Sequence, residues 1–496
     1  MPVHGTPEGP ASGAPEALTG DEVRRRAAGG AALLVVRGAL ILTLGVGANI
    51  VLARLLAPRD FGVVALGTVL LVVGGLLADG GLGSGLIRRA QTPSRRELEA
   101  VNGAQIALTV ALAAVGAGAA ALFGSDGLVV AAMVATLPIT VLKVPSIIML
   151  ERSLDYRPIA RVDVAEAVAF YAWALVTVAA GLGVWGLATG MAFRAVVGTA
   201  MMARLGPVGL VRPRWSWPDL RPLIRFGAKF QGVVVVGMLR SQGLNVGIAL
   251  VAGVPTLGVW NLAWRVLQIP LMVFGSLGRI GYPTMARLLG AGHDPRPVIE
   301  RGVGALAVVT GGIMVALTGF APALPVLVGG GWGDVPAVLL WAGIGMIASF
   351  PIMLGSTSYL FAADAGGTVL GTAVAAAVVW LGVALPLLPA IGAPAAGVGW
   401  CAAGVVQLAL LTPRTRARSG AAVAASLAPP TAVAIAAAAA GWVLADAAGG
   451  SIGSGLLGVA AGETILFATL AALRRSVLRD VRLIMGDAVG NLAARV

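Results

Sequence analysis

Apolar segments of about twenty residues recur along almost the whole chain, and they constrain its fold more than any other feature. A helix needs about twenty apolar residues to cross the hydrocarbon of a bilayer. In lipid every backbone N–H and C=O must be paired within the protein, so these continuous runs predict helices, whereas a barrel requires alternation. Only 11% of the residues are charged, against about 25% in a soluble domain. The sequence therefore predicts an all-α integral membrane protein.

The apolar runs divide into about fourteen transmembrane helices. The predicted spans are 31–54, 61–86, 100–123, 127–150, 162–182, 184–204, 227–251, 257–281, 302–320, 336–360, 367–387, 393–411, 421–445 and 453–472. The turn between the predicted spans 162–182 and 184–204 is very short, because it must form within the residues from Gly181 to Gly186. The Ala-rich run 431–441 suits close packing between helices.

A basic segment at 205–226, rich in Pro and Trp, separates the first six predicted helices from the rest. A shift of 196 residues aligns Gly47, Asn49, Ala53, Gly62, Val63 and Leu66 with Gly243, Asn245, Ala249, Gly258, Val259 and Leu262. We therefore expect two six-helix bundles related by a parallel repeat, whose axis runs along the membrane normal. The predicted organisation is a disordered cytosolic tail (1–26), an N-terminal bundle (27–204), a basic cytosolic linker (205–226), a C-terminal bundle (227–411), two extra C-terminal helices (412–472) and a cytosolic tail (473–496).

The distribution of basic residues predicts the orientation of the chain. With the N-terminus inside, only Arg54 and Arg59 fall at outer helix ends, and the basic loop residues otherwise fall inside. Basic residues are enriched in cytoplasmic loops. We therefore expect both termini in the cytosol and a location in the cytoplasmic membrane. The net charge of +13 is explained by this topology and by anionic lipids rather than by nucleic acid.

Six basic residues remain inside predicted spans, where an unpaired charge is costly unless it faces water, an acid or the interface. They are Arg37, Lys143, Arg194, Arg240, Arg265 and Arg279. Arg240 lies beside the polar residues Ser241, Gln242 and Asn245. One interpretation is a cationic cavity for an anionic head group such as a pyrophosphate, built from Arg37, Lys143, Arg194, Arg240 and Arg265, with Asn49, Ser241, Gln242 and Asn245 in support. The alternatives are snorkelling and structural ion pairs, and Arg279 is expected at the interface.

Few acids accompany these cations. Asp79 and Asp163 lie near inner helix ends and are expected to be structural, while Glu166 and Glu463 are the other intramembrane acids. Glu463 needs a partner that the sequence does not identify. Trp260 and Trp264 are expected to form part of an aromatic belt at the membrane interface.

Residues for catalysis are scarce. There is one cysteine, Cys401, and the two histidines, His4 and His293, lie in a tail and a loop. There is no GxxxxGK[ST] phosphate loop. We therefore expect no enzyme, no catalytic residue, no metal site and no cofactor.

Three segments resemble a known family. Residues 48–89 contain the spacing ARLL-x-P-x-D-FG and the later AD-x-GLGSGLIRR, and two further matching segments lie at 151–166 and 253–288. They resemble the polysaccharide transport family, the flippases of O-antigen and exopolysaccharide repeat units, within the superfamily of MATE exporters and the lipid II flippase. The match covers residues 30–290, and GGGWGDVPAVL at 329–339 extends it. Many relatives carry an acid near the position of Gly243-Leu244-Asn245, where this chain has none.

The resemblance implies two six-helix bundles around a cationic central cavity and alternating access. It implies a polyprenyl-diphosphate-linked oligosaccharide as substrate, with membrane lipids, glycosyltransferases and a polysaccharide polymerase as candidate partners. Two other functions remain open. A MATE-type antiporter for small cations would need membrane acids, whereas the midplane charges here are mostly basic. The other is a membrane-embedded enzyme or a non-transporting component of a glycan-assembly complex. Acids at the outer face would support the enzyme, and cavity variants without a phenotype would support the non-transporting component.

Overall fold

The computed structural model describes residues 20–88, 91–120 and 123–481. These residues form helices and loops without a strand, so the predicted all-α fold is confirmed. The helices are α1 (Gly20–Leu55), α2 (Pro58–Asp79), α3 (Leu82–Arg88), α4 (Arg95–Ala120), α5 (Gly124–Val134), α6 (Leu137–Val141), α7 (Val144–Arg152), α8 (Arg157–Thr177), α9 (Val184–Leu205), α10 (Trp217–Gly290), α11 (Arg296–Phe320), α12 (Leu324–Val328), α13 (Val335–Ala362), α14 (Gly366–Ile391), α15 (Pro394–Ser419), α16 (Val423–Ala447) and α17 (Ile452–Leu473).

In the described parts of the chain, 13 helical segments are long and apolar enough to cross a membrane. The protein is therefore a multi-pass membrane protein. One of these segments, Gly237–Gly275, is 39 residues long, which as a straight helix would reach about 58 Å, far beyond the roughly 30 Å of hydrocarbon. It covers the predicted spans 227–251 and 257–281, so the number of crossings depends on how α10 bends.

Helix α10 folds back on itself at Gly253. This residue has φ 86° and ψ 168°, a conformation open only to glycine. Trp260 Nε1 donates a hydrogen bond of 3.1 Å to Asn245 Oδ1, although fifteen residues of straight helix would separate them by about 22 Å. The two arms of α10, residues 217–252 and 254–290, therefore run side by side, as two separate spans require. The count of fourteen crossings stays a prediction.

Helices α1 and α8 run parallel and in register. Tyr156 packs on Gly30, and the Tyr171 hydroxyl faces Gly45, fifteen residues further along both helices. Between these contacts Arg37 bonds Asp163. All three pairs have the same sequence offset, which a parallel arrangement requires. These helices correspond to the first and fifth predicted spans, and their parallel arrangement requires an odd number of crossings between them, which agrees with the three spans predicted there.

The helices pack as two groups joined by α10. Helix α8 contacts α1 and α9, while α2 contacts α4 and α5. In the second half α15 packs between α13 and α14, and α16 and α17 pack on α11. Helix α10 contacts α2 on one side and α13 and α14 on the other, and a continuous apolar core extends through these contacts.

The predicted span 127–150 is wrong as a single helix. The chain forms three short helices there, α5, α6 and α7, with breaks after Val134 and Val141. Pro138 and Pro145 stand in the first turns of α6 and α7. A proline ring clashes with the preceding turn and removes an N–H donor, so each proline starts a new helix.

Several predicted boundaries also shift. Helix α1 begins at Gly20, inside the predicted tail 1–26, whose first 19 residues lie outside the described chain. The linker 205–226 is a loop only to residue 216, since α10 starts at Trp217 with Pro218 in its first turn. The boundary at 411 falls within α15, which continues through Arg416 and Arg418 to Ser419. Residues 475–481 of the predicted tail 473–496 are helical, and 482–496 lie outside the described residues.

Candidate functional site

Three of the five predicted cavity cations form ion pairs with acids of α8. Arg37 of α1 lies 2.5 Å from Asp163 Oδ2. Lys143, between α6 and α7, bonds Glu166 Oε1. Arg194 of α9 bonds Glu166 Oε2 through Nε at 3.2 Å. These three residues therefore form ion pairs, which is one of the alternatives to a cationic cavity. Together with the two acids they carry a net charge of about one positive unit.

Glu166 is the centre of this cluster. Its side chain is only 4% exposed, against 15% for Lys143 and 47% for Arg194. Gly198 of α9 allows this burial, because a Cβ there would overlap the Glu166 carboxylate. Two cations on one buried carboxylate offset much of its desolvation cost. Glu166 therefore ties α9 and the α6–α7 turn to α8.

Arg240 differs from these three, because it forms no ion pair with any described residue. Its side chain is exposed, and its guanidinium lies 5.6 Å from the ring centroid of Trp380 on α14. A cation over an indole face gains modest energy and leaves the outward N–H groups free. Arg240 can therefore offer donors to an anion.

Arg265 also has no acidic partner among the described residues. Its Nε donates to Asn261 Oδ1 at 3.1 Å, and its Nη1 donates to Asn49 Oδ1 on α1. Its guanidinium lies 5.5 Å from the ring centroid of Phe61 on α2. Neutral partners thus hold a full positive charge at the contact between the second arm of α10 and the first two helices.

Arg240 and Arg265 lie at the same level of the folded helix. The Asn245–Trp260 hydrogen bond fixes which residues of the two arms face each other. Five residues further from the bend on each arm stand Arg240 and Arg265. Both are about 18–20 Å of helix from Gly253, which is more than half of the roughly 30 Å that the hydrocarbon of a bilayer measures.

The four supporting polar residues have different surroundings. Asn49 is buried, holds Arg265 and donates to Gly45 O at 2.6 Å. Asn245 accepts from Trp260 and donates to Gln242 Oε1 at 3.1 Å. Among the described residues, Ser241 bonds the backbone of its own helix, with Met238 O at 3.2 Å. Asn49 and Asn245 therefore position neighbouring groups, while Ser241 and Gln242 remain beside Arg240.

The predicted aromatic belt is wrong for Trp260, whose side chain is only 2% exposed. It packs with Trp264 at a centroid distance of 5.7 Å and with Trp380 at 6.3 Å, and Trp400 completes the cluster 5.1 Å from Trp380. The fold-back of α10 turns this face toward α14 and α15. The cluster therefore anchors the second arm in the core and supplies the ring that Arg240 covers.

Sequence reasoning missed the partners of the cations. Asp163 and Glu166 lie three residues apart and so share one face of α8, a spacing that could have indicated a common ion-pair site.

Glu463 on α17 is half-buried near Gly312 and has no hydrogen-bond or ion-pair partner in the described chain. The side chain of Arg279 lies outside the described residues.

Comparisons with known proteins agree with this architecture. Residues 51–336, more than half of the chain, match the family model described as "Polysaccharide biosynthesis protein". The chain belongs to this family. The resemblance found in the sequence is therefore confirmed at the level of the family.

One curated relative is the lipopolysaccharide biosynthesis protein WzxC of Escherichia coli (strain K12), which is 21% identical over 357 residues. The alignment covers 67% of this chain and 70% of WzxC. The alignment therefore spans most of both chains, and the family match at 51–336 includes Arg240 and Arg265.

Two solved structures show the same fold. The lipid II flippase MurJ, in an inward closed conformation, has a TM-score of 0.64 at 11% identity, with coverage of 89% of this chain and 99% of MurJ. An inward-facing multidrug resistance MATE family transporter of the MOP superfamily has a TM-score of 0.54 at 17% identity, with coverage of 78% and 98%. The chain therefore has the fold of these two transporters.

Proposed function

We propose that this protein translocates polyprenyl-diphosphate-linked oligosaccharide repeat units across the cytoplasmic membrane for surface polysaccharide biosynthesis. Membership of the polysaccharide biosynthesis protein family supplies the biosynthetic context. The transporter fold supplies the class of activity. The observation that carries the proposal is the unbalanced charge of Arg240 and Arg265.

Two positive charges near mid-membrane cost several kcal/mol unless something offsets them. Arg37, Lys143 and Arg194 already share two carboxylates. Arg240 and Arg265 have only neutral partners in the described chain. A diphosphate would supply the missing negative charge, because guanidinium groups bind phosphate oxygens through paired N–H donors.

In this mechanism a cavity open to the cytosol receives the substrate. Arg240 and Arg265 hold the diphosphate, the glycan occupies water, and the prenyl tail stays in lipid. Rocking of the two helix groups then exposes the glycan on the outer side. The termini remain cytosolic, and glycosyltransferases and a polysaccharide polymerase act before and after this step.

The second candidate, a MATE-type antiporter, rests on the shared fold with a multidrug transporter. The charge of the site disfavours it, since unpaired arginines repel a cationic substrate. A non-transporting role in a glycan-assembly complex would leave the two unpaired arginines without a purpose.

Reconstitution tests the proposal. The purified protein is placed in vesicles that contain a fluorescent polyprenyl-diphosphate oligosaccharide, and a membrane-impermeant glycosidase reports which leaflet holds the glycan. We expect protein-dependent exposure of the inner-leaflet glycan. Equal exposure in protein-free vesicles and in vesicles with the protein would contradict the proposal.

A further inference from the structure

A groove of about 1680 Å³ lies along α8, between α1 on one side and α9 on the other. Its wall carries large apolar side chains that the protein leaves uncovered. Val36 and Leu40 of α1 are 56% and 55% exposed, and Val168 of α8 is 49% exposed. Val197 and Met201 of α9 complete the wall. The groove is therefore an apolar trough and differs from the convex surface that a helix bundle usually presents to lipid.

The trough is about one leaflet deep. On α8 its lining runs from Arg157 to Ala169, twelve residues or about 18 Å of helix. Because α1 runs parallel to α8, its lining from Gly29 to Leu40 covers the same depth. The hydrocarbon of a whole bilayer is roughly 30 Å thick. The groove thus begins at one membrane surface and ends near the midplane.

Charge is concentrated at the surface end. Arg157 and Arg161 are exposed, lie four residues apart on α8 and share one face. Neither side chain has an acidic partner among the described residues. Among the described residues that line the groove, Asp155 is the one with a carboxylate. The mouth therefore has two guanidinium groups against one carboxylate, above a wholly apolar wall at Leu40, Val168 and Phe193.

Arg37 connects this groove with the ion-pair cluster. It lines the trough about 10 Å below its mouth, beside Val164. On its other side it holds Asp163, one turn from Glu166. A ligand in the groove would therefore lie against the helix that carries both acids of the cluster.

We propose that this groove is the entry site for the phosphorylated polyprenyl carrier of the substrate. The phosphate groups bind Arg157 and Arg161, and the part of the apolar chain next to them lies against Val36, Leu40, Val168 and Phe193. The diphosphate then moves from this entry site to Arg240 and Arg265. The inference rests on the proposed function, because that function makes a prenyl diphosphate the lipid that the protein must select. A two-charge head group matches two arginines better than the single charge of a phosphodiester lipid does. The mouth lies on the predicted cytosolic side, where such a carrier would be loaded.

Binding of two defined probes tests the groove. The full-length protein in nanodiscs is titrated with a polyprenyl diphosphate and, separately, with phosphatidylglycerol, and bound lipid is quantified by native mass spectrometry. The test variants are Arg157→Ala/Arg161→Ala at the mouth and Val168→Trp in the wall. The matched controls are Arg96→Ala/Arg221→Ala, two exposed arginines away from the groove, and Val443→Trp, an exposed position on α16.

We expect both test variants to weaken polyprenyl diphosphate binding by about tenfold or more, since charge-assisted contacts and apolar area are each lost, while the controls bind as the unmodified protein does. Unchanged binding by both test variants would overturn the proposal that the groove binds this lipid and would leave the proposed substrate class intact. Equal binding of phosphatidylglycerol at the groove would identify a general lipid site and also overturn the proposal. Absence of any polyprenyl diphosphate binding to the unmodified protein would contradict the proposed function itself.

Discussion

Gly62 of α2 lies directly against the backbone carbonyl of Val254, so closely that a Cβ at position 62 would overlap the oxygen. The same contact occurs a second time with the roles exchanged, since Gly258 lies against the carbonyl of Pro58. Glycine is required at both positions because the two backbones meet there without side chains between them.

The two contacts are related by the sequence shift of 196 residues. That shift takes Gly62 to Gly258 and Pro58 to Val254, so one contact maps onto the other. A reciprocal contact of this kind is what a twofold relationship between two halves produces. It supports the weak repeat read from the sequence, at the point where α2 meets the bend of α10.

The reciprocal contact predicts that Gly258→Ala is destabilising. The added methyl group overlaps Pro58 O and forces the helices apart, at a cost of about 1–3 kcal/mol for overpacking. Thermal unfolding of the purified protein in detergent measures the effect. Gly75→Ala on α2 is the control, because nothing lies within 4 Å of a Cβ there. Equal melting temperatures for both variants would show that the contact does not limit stability.

Removing Glu166 should destabilise the protein strongly. Glu166→Ala leaves the mostly buried Lys143 without a counter-charge, and breaking a buried pair costs about 3–5 kcal/mol. Chemical or thermal unfolding in detergent measures this loss, and Lys143→Met/Glu166→Leu should recover part of it because no buried charge is left unpaired.

The exposed pair Arg59–Asp126, at 2.9 Å, provides the comparison for Glu166. Its side chains are 65% and 33% exposed, so water screens the interaction and Asp126→Ala should cost at most about 1 kcal/mol. If Asp126→Ala and Glu166→Ala lower stability equally, the Glu166 cluster has no special structural role.

Gly253→Ala should disrupt the fold-back of α10. The backbone at φ 86° and ψ 168° excludes residues with a Cβ, and the strain is about 1–3 kcal/mol. The variant should melt at a lower temperature than the unmodified protein. Gly243→Ala, in regular helix with open space around it, should be neutral or slightly stabilising. A Gly253→Ala protein as stable as Gly243→Ala would contradict the bend described here.

Arg240→Ala should impair translocation by about tenfold or more, since a charge-assisted bond to a phosphate contributes about 1.5–3 kcal/mol. Its level in the membrane should not change, because Arg240 is exposed and forms no ion pair in the described chain. The vesicle assay measures the rate, and Arg96→Ala serves as the control. Normal translocation by Arg240→Ala would show that this residue does not bind the substrate.

Much of the fold follows from local features of the sequence. Apolar run length predicts most spans within a few residues, because the bilayer sets that length. The split near residue 183 is confirmed, since Gly181 and Gly183 both have positive φ. The break of the predicted span 127–150 into three helices has a local cause as well, because Pro138 and Pro145 stand in the first turns of α6 and α7.

The site was less predictable because its contacts join distant segments. Arg265 meets Asn49 across 216 residues, and Arg37 meets Asp163 across 126. Hydropathy and spacing cannot reveal which acid reaches which cation. The burial of Trp260 depends likewise on Trp380 and on the bend at Gly253. Composition identified the intramembrane cations, and tertiary packing decides which of them are neutralised.

The most direct test of the translocation account is to deplete the protein in its host cell and quantify lipid-linked oligosaccharides in each leaflet of the cytoplasmic membrane. The account predicts that full-length repeat units accumulate on the cytosolic side and that surface polysaccharide is lost. Unchanged intermediates, or intermediates that build up on the outer side, would contradict it and would point to a downstream or non-transporting role.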